Sequence, residues 1–120
     1  MIRRRRSAVL ATIEQIRLAS GDISLTGAIA FLYVCENEGI NIRELAQLAR
    51  LTHSSASRAA RRLSLPDAPH ALPPAAGLLT LEPQGSDRRS RILRLTDKGR
   101  ALRDDLDCVI AQAVPIKIKH

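Results

Sequence analysis

A chain of 120 residues with 45% apolar content can bury one modest core, and no shift in composition marks a second, so positions 1–120 read as a single domain. A formal net charge of +7 points to a polyanionic partner, while 2% aromatic content leaves no stacking platform for single strands, which favours a duplex. Two cysteines and three histidines stand at no metal-ligand spacing, no cofactor-binding motif occurs, and no apolar run is long enough to span a membrane.

The chain opens on a basic tail, 1–6, in which Arg3 to Arg6 form the densest cationic run. It is either a solvated tail or one that tracks phosphates or a minor groove. Val9, Leu10, Ile13 and Ile16 then recur at helical spacing and predict an N-terminal helix over 7–20. Glu14 interrupts the apolar stretch and no cleavage pattern follows, so the start does not read as a targeting segment.

A helical core is expected over 26–63. Its first helix, Thr26 to about Glu38, places Ile29, Phe31, Leu32 and Cys35 inward and is ended by Gly39. From Glu44 to Leu63 the pattern is a helix-turn-helix: Leu45, Ala46, Ala49, Leu51, Ala56, Ala59, Ala60 and Leu63 supply two crossed helices with one core. Thr52 is a good N-cap, so the second helix starts at about His53. Its other face shows His53, Ser54, Ser55, Ser57, Arg58, Arg61 and Arg62, short hydrogen-bonders followed by guanidinium groups, as base edges and phosphates require. Ser54, Ser55, Ser57 and Arg58 are the candidate base readers. An enzyme built on these serines and His53 is disfavoured, because helical neighbours one and two apart do not face each other.

Pro66, Pro69, Pro73 and Pro74 punctuate a loop over 64–76. Proline disfavours helix at its predecessor, so Leu65 is the expected end of the recognition helix, and positions 73–76 can form one short turn. The loop either covers the core or contacts DNA or a partner subunit, and its His70 is assigned no site. A wing follows over 77–96, with Leu78 to Glu82 turned by Pro83, Gln84, Gly85 and Ser86 into Arg91 to Thr96. Its tip, Ser86 to Arg91, carries Asp87, Arg88, Arg89 and Arg91, too cationic to be packed and suited to a minor groove. Thr96 opens a C-terminal helix over 97–114 with Leu102, Leu106, Val109, Ile110 and Ala113 on one stripe, stopped by Pro115.

Leu-Ala-Gln-Leu-Ala at 45–49, Ser57-Arg58, Gly-Leu-Leu at 77–79, Asp87-Arg88-Arg89 and Leu-Thr-Asp-Lys-Gly-Arg-Ala-Leu at 95–102 resemble the MarR family of bacterial winged-helix transcription regulators. The resemblance implies a mainly α fold with a small β wing: a winged helix-turn-helix whose three-helix core and two-stranded hairpin are flanked by N- and C-terminal dimerisation-type helices. It further implies a cytoplasmic, non-enzymatic homodimer that binds double-stranded DNA, more often as a repressor, and is often released by a small-molecule effector. Each recognition helix would enter a major groove and Arg89 the adjacent minor groove, with Asp87 orienting that arginine.

Three features depart from the family. Arg50 stands where glycine is common, the proline-rich segment 64–76 is an insertion, and the end at His120 falls short of the usual long C-terminal helices, which leaves the dimer geometry open. Some relatives sense oxidants through cysteine, but Cys35 on an apolar face reads as an inert buried thiol, and Cys108 lies beside the dimer stripe. The alternative is a winged-helix protein-interaction or architectural module with weak, nonspecific DNA binding, since this fold does not by itself fix function.

Overall fold

The computed structural model describes residues 5–112. Five helices and one antiparallel hairpin follow in order: α1 (Arg5–Ala19), α2 (Leu25–Glu36), α3 (Ile42–Ala49), α4 (His53–Arg62), β1 (Leu79–Gln84), β2 (Asp87–Leu95) and α5 (Asp97–Gln112). The architecture is a winged helix-turn-helix, mainly α with a small β wing. Arg3 and Arg4 of the basic tail, and Ala113 of the last apolar stripe, lie outside the described residues.

Each core helix starts on a side chain that satisfies an orphan backbone donor. The Ser24 side chain accepts from Gly27 N at 3.0 Å, which starts α2 at Leu25, one residue before the expected Thr26. At the other end Asn37 turns the backbone out of helix, and its amide donates to the Tyr33 carbonyl at 3.0 Å, so α2 stops at Glu36 rather than Glu38. Phe31 and Val34 are fully buried, whereas Ile29 is 40% exposed, against the expectation that it points inward. Two residues before Phe31, it sits on the opposite side of a helix with 3.6 residues per turn.

Asn41 and Glu44 close a reciprocal capping box on α3, at 2.8 and 2.9 Å. The helix ends at Arg50, which takes the left-handed conformation, φ 57° and ψ 46°, and Leu51 N donates to the Ala46 carbonyl at 2.9 Å. The turn therefore has the shape that glycine ordinarily supplies, at a cost of roughly 1 kcal/mol. Small side chains at 56, 59 and 60 are buried and let α4 lie close over α2 and α3.

The wing is longer than expected and its turn is tighter. Leu79 pairs with Leu95, Leu81 with Leu93 and Pro83 with Arg91, with an irregularity between Pro83 and Gln84. Gly85, at φ 56°, and Ser86 make the turn. Asp87 to Arg91 thus belong to β2 rather than to a loop at the tip, and Pro83 to β1, because proline is tolerated at the edge or irregular end of a two-stranded ribbon. The wing root is tied to the helices by Gly39 N to Leu93 O and Leu93 N to Ile40 O, both 2.8 Å. Glu38 adds its carboxylate, accepting from Leu95 N at 3.0 Å and from Arg100 at 3.1 Å.

Helix α4 ends earlier than expected, at Arg62 with Leu63 as C-cap. The segment 64–76 then folds back on it. Leu72 N donates to the Arg61 carbonyl, Ala76 N to that of Arg62, and Leu78 N and Leu79 N to that of Leu63, at 2.8 to 3.0 Å. The carbonyls that a helix C-terminus leaves unpaired are thereby satisfied. Beyond the wing, the Thr96 hydroxyl donates to Gly77 O at 2.7 Å and accepts from Gly99 N at 3.0 Å, opening α5. A Cβ added at Gly99 would lie 2.2 Å from the Leu78 carbonyl oxygen, so only glycine permits this approach.

Helix α5 packs along α1, with Ile16, Leu102 and Leu106 buried in the joint core. The rest of the α1 pattern faces outward: Val9 is 59% exposed, and Leu10 and Ile13 are also exposed. No helix among the described residues is long and apolar enough to cross a membrane.

Candidate nucleic-acid interface

Helix α4 presents its polar residues in two columns, because residues four apart stack on one face. Ser54, Arg58 and Arg62 are exposed and form the outer column. His53, Ser57 and Arg61 form the inner one, which faces the wing across a cleft of about 440 Å³. Thr52 caps the helix, accepting from Ser55 N at 3.1 Å and donating to the Ser55 hydroxyl at 3.0 Å. Ser55 is thus half-buried and engaged with the cap, set apart from the two columns.

The inner column ends on an arginine held in place. Arg61 Nε donates to the His70 carbonyl at 2.9 Å, so the segment 64–76 fixes this guanidinium as well as capping the helix. Across the cleft stand Ser90 and Arg91 from β2, over Leu81. Arg43, next to the α3 cap, and His70 complete the lining. Asp87, Arg88 and Arg89 belong to β2 in their backbone, and their side chains lie outside the described residues.

Charge compensation differs between this face and the rest of the molecule. Among the described residues, ion pairs join Arg94 to Glu82, Arg100 to Glu38 and Asp97, Arg17 to Glu14 and Arg103 to Asp104. None involves Arg43, Arg58, Arg61 or Arg62, and no carboxylate lines the cleft. The positive end of the α4 dipole adds to this field at His53 and Ser54. The surface is built to receive anions that meet both short hydroxyls and guanidinium groups.

Arg43, His70 and Ser90 were not singled out by sequence reasoning. Arg43 belongs to the preceding helix and His70 to a segment with no periodic pattern, so neither falls on the stripe that marks α4. The only available signal was their residue type. Cys35, half-buried among α2 and α5 residues, has its thiol pushed up to about 12, chiefly by burial, with Arg103 acting weakly in the other direction. Cys108 is exposed. Among the described residues no group of histidines, cysteines and carboxylates could hold a metal ion.

No protein-family model and no curated protein matches the sequence. Solved structures do match the fold. A MarR transcriptional regulator from Methanosarcina mazei Go1 aligns over 86% of this chain and 66% of its own, with a TM-score of 0.65 at 19% identity. RV1404 from Mycobacterium tuberculosis aligns over 89% and 66%, with a TM-score of 0.68 at 20% identity. AbfR in its reduced, DNA-bound form aligns over 89% and 68%, with a TM-score of 0.62 at 20% identity. The chain thus spans about two thirds of the length of these proteins. It has the winged-helix fold of the MarR transcriptional regulators.

Proposed function

We propose that the protein is a MarR-type transcription regulator of the cytoplasm that binds double-stranded DNA as a homodimer and acts mainly as a repressor. The observation that carries this reading is the outer column of α4. Ser54, Arg58 and Arg62 stand exposed and without ion-pair partners on a helix pinned at both ends, by Thr52 and by the backbone of 72–79. A helix so held can present donors to a major groove without spending binding free energy on ordering itself. Ser54, Ser57 and Arg58 would read bases, Arg61 and Arg62 would contact phosphates, and Ser55 would act chiefly by holding the cap. Arg89 on the wing would reach the minor groove, with Asp87 orienting it and Arg88 and Arg91 adding phosphate contacts.

A second copy of the chain is the partner that the exposed apolar side chains call for. Leu18 at 76%, Val9, Leu10, Ile13 and Ile110 are exposed on α1 and α5, and Leu25 at 71% adjoins them at the start of α2. The resemblance of fold to a DNA-bound regulator supports the DNA-binding reading.

The test is selection of genomic fragments by the purified protein at near-physiological salt, read by sequencing, with Arg58→Ala and Arg89→Ala alongside. The expected result is a shared pseudo-palindrome, weakened by about 1 to 3 kcal/mol where a base contact is truncated. Salt-sensitive retention of fragments with no common motif would reject a sequence-specific regulator in favour of an architectural role.

A further inference from the structure

Among the described residues, the cleft between α4 and the wing is lined by three arginines, two histidines and no carboxylate. Unbalanced positive charge in a concave site concentrates the field and favours an anion. Its position decides which anion. One wall is the inner column of the recognition helix and the opposite wall is β2, so a duplex that gave α4 its major groove and the wing the neighbouring minor groove would run the strand between those grooves through this cleft. The third wall is the segment 64–76, which brings His70 to the cleft and clamps Arg61 through the His70 carbonyl at 2.9 Å. With its Nε so engaged, Arg61 retains its two terminal nitrogens for a further acceptor.

We propose that this cleft is a phosphate seat that grips the DNA strand separating the two grooves, with Arg43, Arg61, Arg91 and His70 as its ligands and the segment 64–76 as its third wall. The proposal rests on the DNA-binding reading above and deepens it. Arg43 and His70 become contacts that carry affinity and no sequence preference. The segment 64–76 acquires a role in binding, since without it Arg61 loses its anchor and the seat loses one side.

The experiment measures the affinity of the full chain for a short mixed-sequence duplex over a range of salt concentrations. Wild type is compared with Arg43→Gln, His70→Ala and, as a control for net charge alone, Arg17→Gln on the remote helix α1. His70→Ala keeps the carbonyl that holds Arg61, so it reports on the ring. Thermal melting of each variant checks the fold. Arg43→Gln is expected to flatten the dependence of log affinity on log salt by about one unit. His70→Ala is expected to weaken binding about threefold to tenfold, and Arg17→Gln to leave both quantities unchanged.

Folded Arg43→Gln and His70→Ala variants with wild-type slope and affinity would overturn the seat. If the genomic selection had meanwhile returned a motif, the regulator reading would stand without it. Failure of wild type to bind any duplex would overturn both. Inorganic pyrophosphate provides the last arm: saturable binding to the DNA-free protein, lost in Arg43→Gln, would assign the seat to a free phosphate and overturn the strand as its occupant.

Discussion

The part of the molecule from α2 to β2 and the arm formed by α1 and α5 use apolar residues differently. In the first, Phe31, Leu45, Leu63, Leu78, Leu79 and Leu93 are wholly enclosed, and the large apolar side chains left exposed, Leu25, Ile29, Leu48 and Leu65, belong to three separate segments. In the arm, Ile16, Leu102 and Leu106 are enclosed while several neighbours of similar size face outward. The first part has a full core of its own, whereas most large apolar side chains of α1 stay at the surface, on the face that the proposed dimer would cover. Stability and assembly should therefore respond to different substitutions.

The largest effect is expected where the two halves meet. Gly99→Ala would force its Cβ against the Leu78 carbonyl at 2.2 Å, backbone that cannot yield without shifting the wing root. Chemical denaturation should show a loss of about 3 kcal/mol, or no folded protein at all. The comparison sharpens with Ile13→Glu on the exposed face of α1. Light scattering should report a monomer in place of a dimer, while a monomeric variant that still melts cooperatively would show that the core from α2 to β2 stands alone. A dimer of unchanged affinity would place the subunit interface elsewhere.

Smaller changes test the helix-turn-helix itself. Thr52→Ala removes the α4 cap and should cost about 1 kcal/mol. Arg50→Gly should act in the opposite direction and stabilise by about 0.5 to 1 kcal/mol, because the left-handed turn at φ 57° then carries no side-chain penalty. Loss of stability in that variant would mean that the Arg50 side chain compensates for its own strain.

The smallest effect concerns the thiols. Cys108 should react with iodoacetamide near the rate of a free thiol, and Cys35 much more slowly, with its rate still climbing far into the alkaline range. Its folded-state value, about 12, lies above the ordinary thiol value of 9.0, so the folded protein holds this proton after the unfolded chain has released its own. The resulting stability is present below about pH 9 and is lost progressively as pH rises towards 12. Equal labelling rates for the two cysteines near neutrality would show that burial does not protect Cys35.

Legibility in the sequence followed the kind of force that holds each element. The helix-turn-helix could be read because its side chains do the work: apolar spacing from Leu45 to Leu63 encloses the core, and Thr52 caps its helix through an oxygen that residue type announces. The wing turn was drawn too wide because Ser86 to Arg91 are polar enough for a loop, yet a two-stranded ribbon needs apolar residues only at its root, where Leu93 and Leu95 lie buried. Ile29 misled by its composition, since one strongly apolar helix carries more such residues than it has buried positions. The folding back of 64–76 left no trace, because main-chain groups make nearly all of its bonds. For the same reason the cleft's third wall, and His70 with it, could not be placed from side-chain pattern.

That reliance on main-chain donors shapes how the segment tolerates mutation. Between Leu65 and Leu79, the amide groups that donate belong to positions 68, 71, 72 and 75–79, and the four prolines fall at 66, 69, 73 and 74, in the gaps. Every residue unable to donate occupies a position where none of these bonds begins. Apart from His70 and the buried Ala76, Leu78 and Leu79, drift in side-chain identity here should be largely silent, whereas moving a single proline by one or two places, onto 68, 72 or 76, would remove a donor and loosen the end of helix α4. Over most of this stretch the fold depends on where the prolines stand more than on the side chains between them.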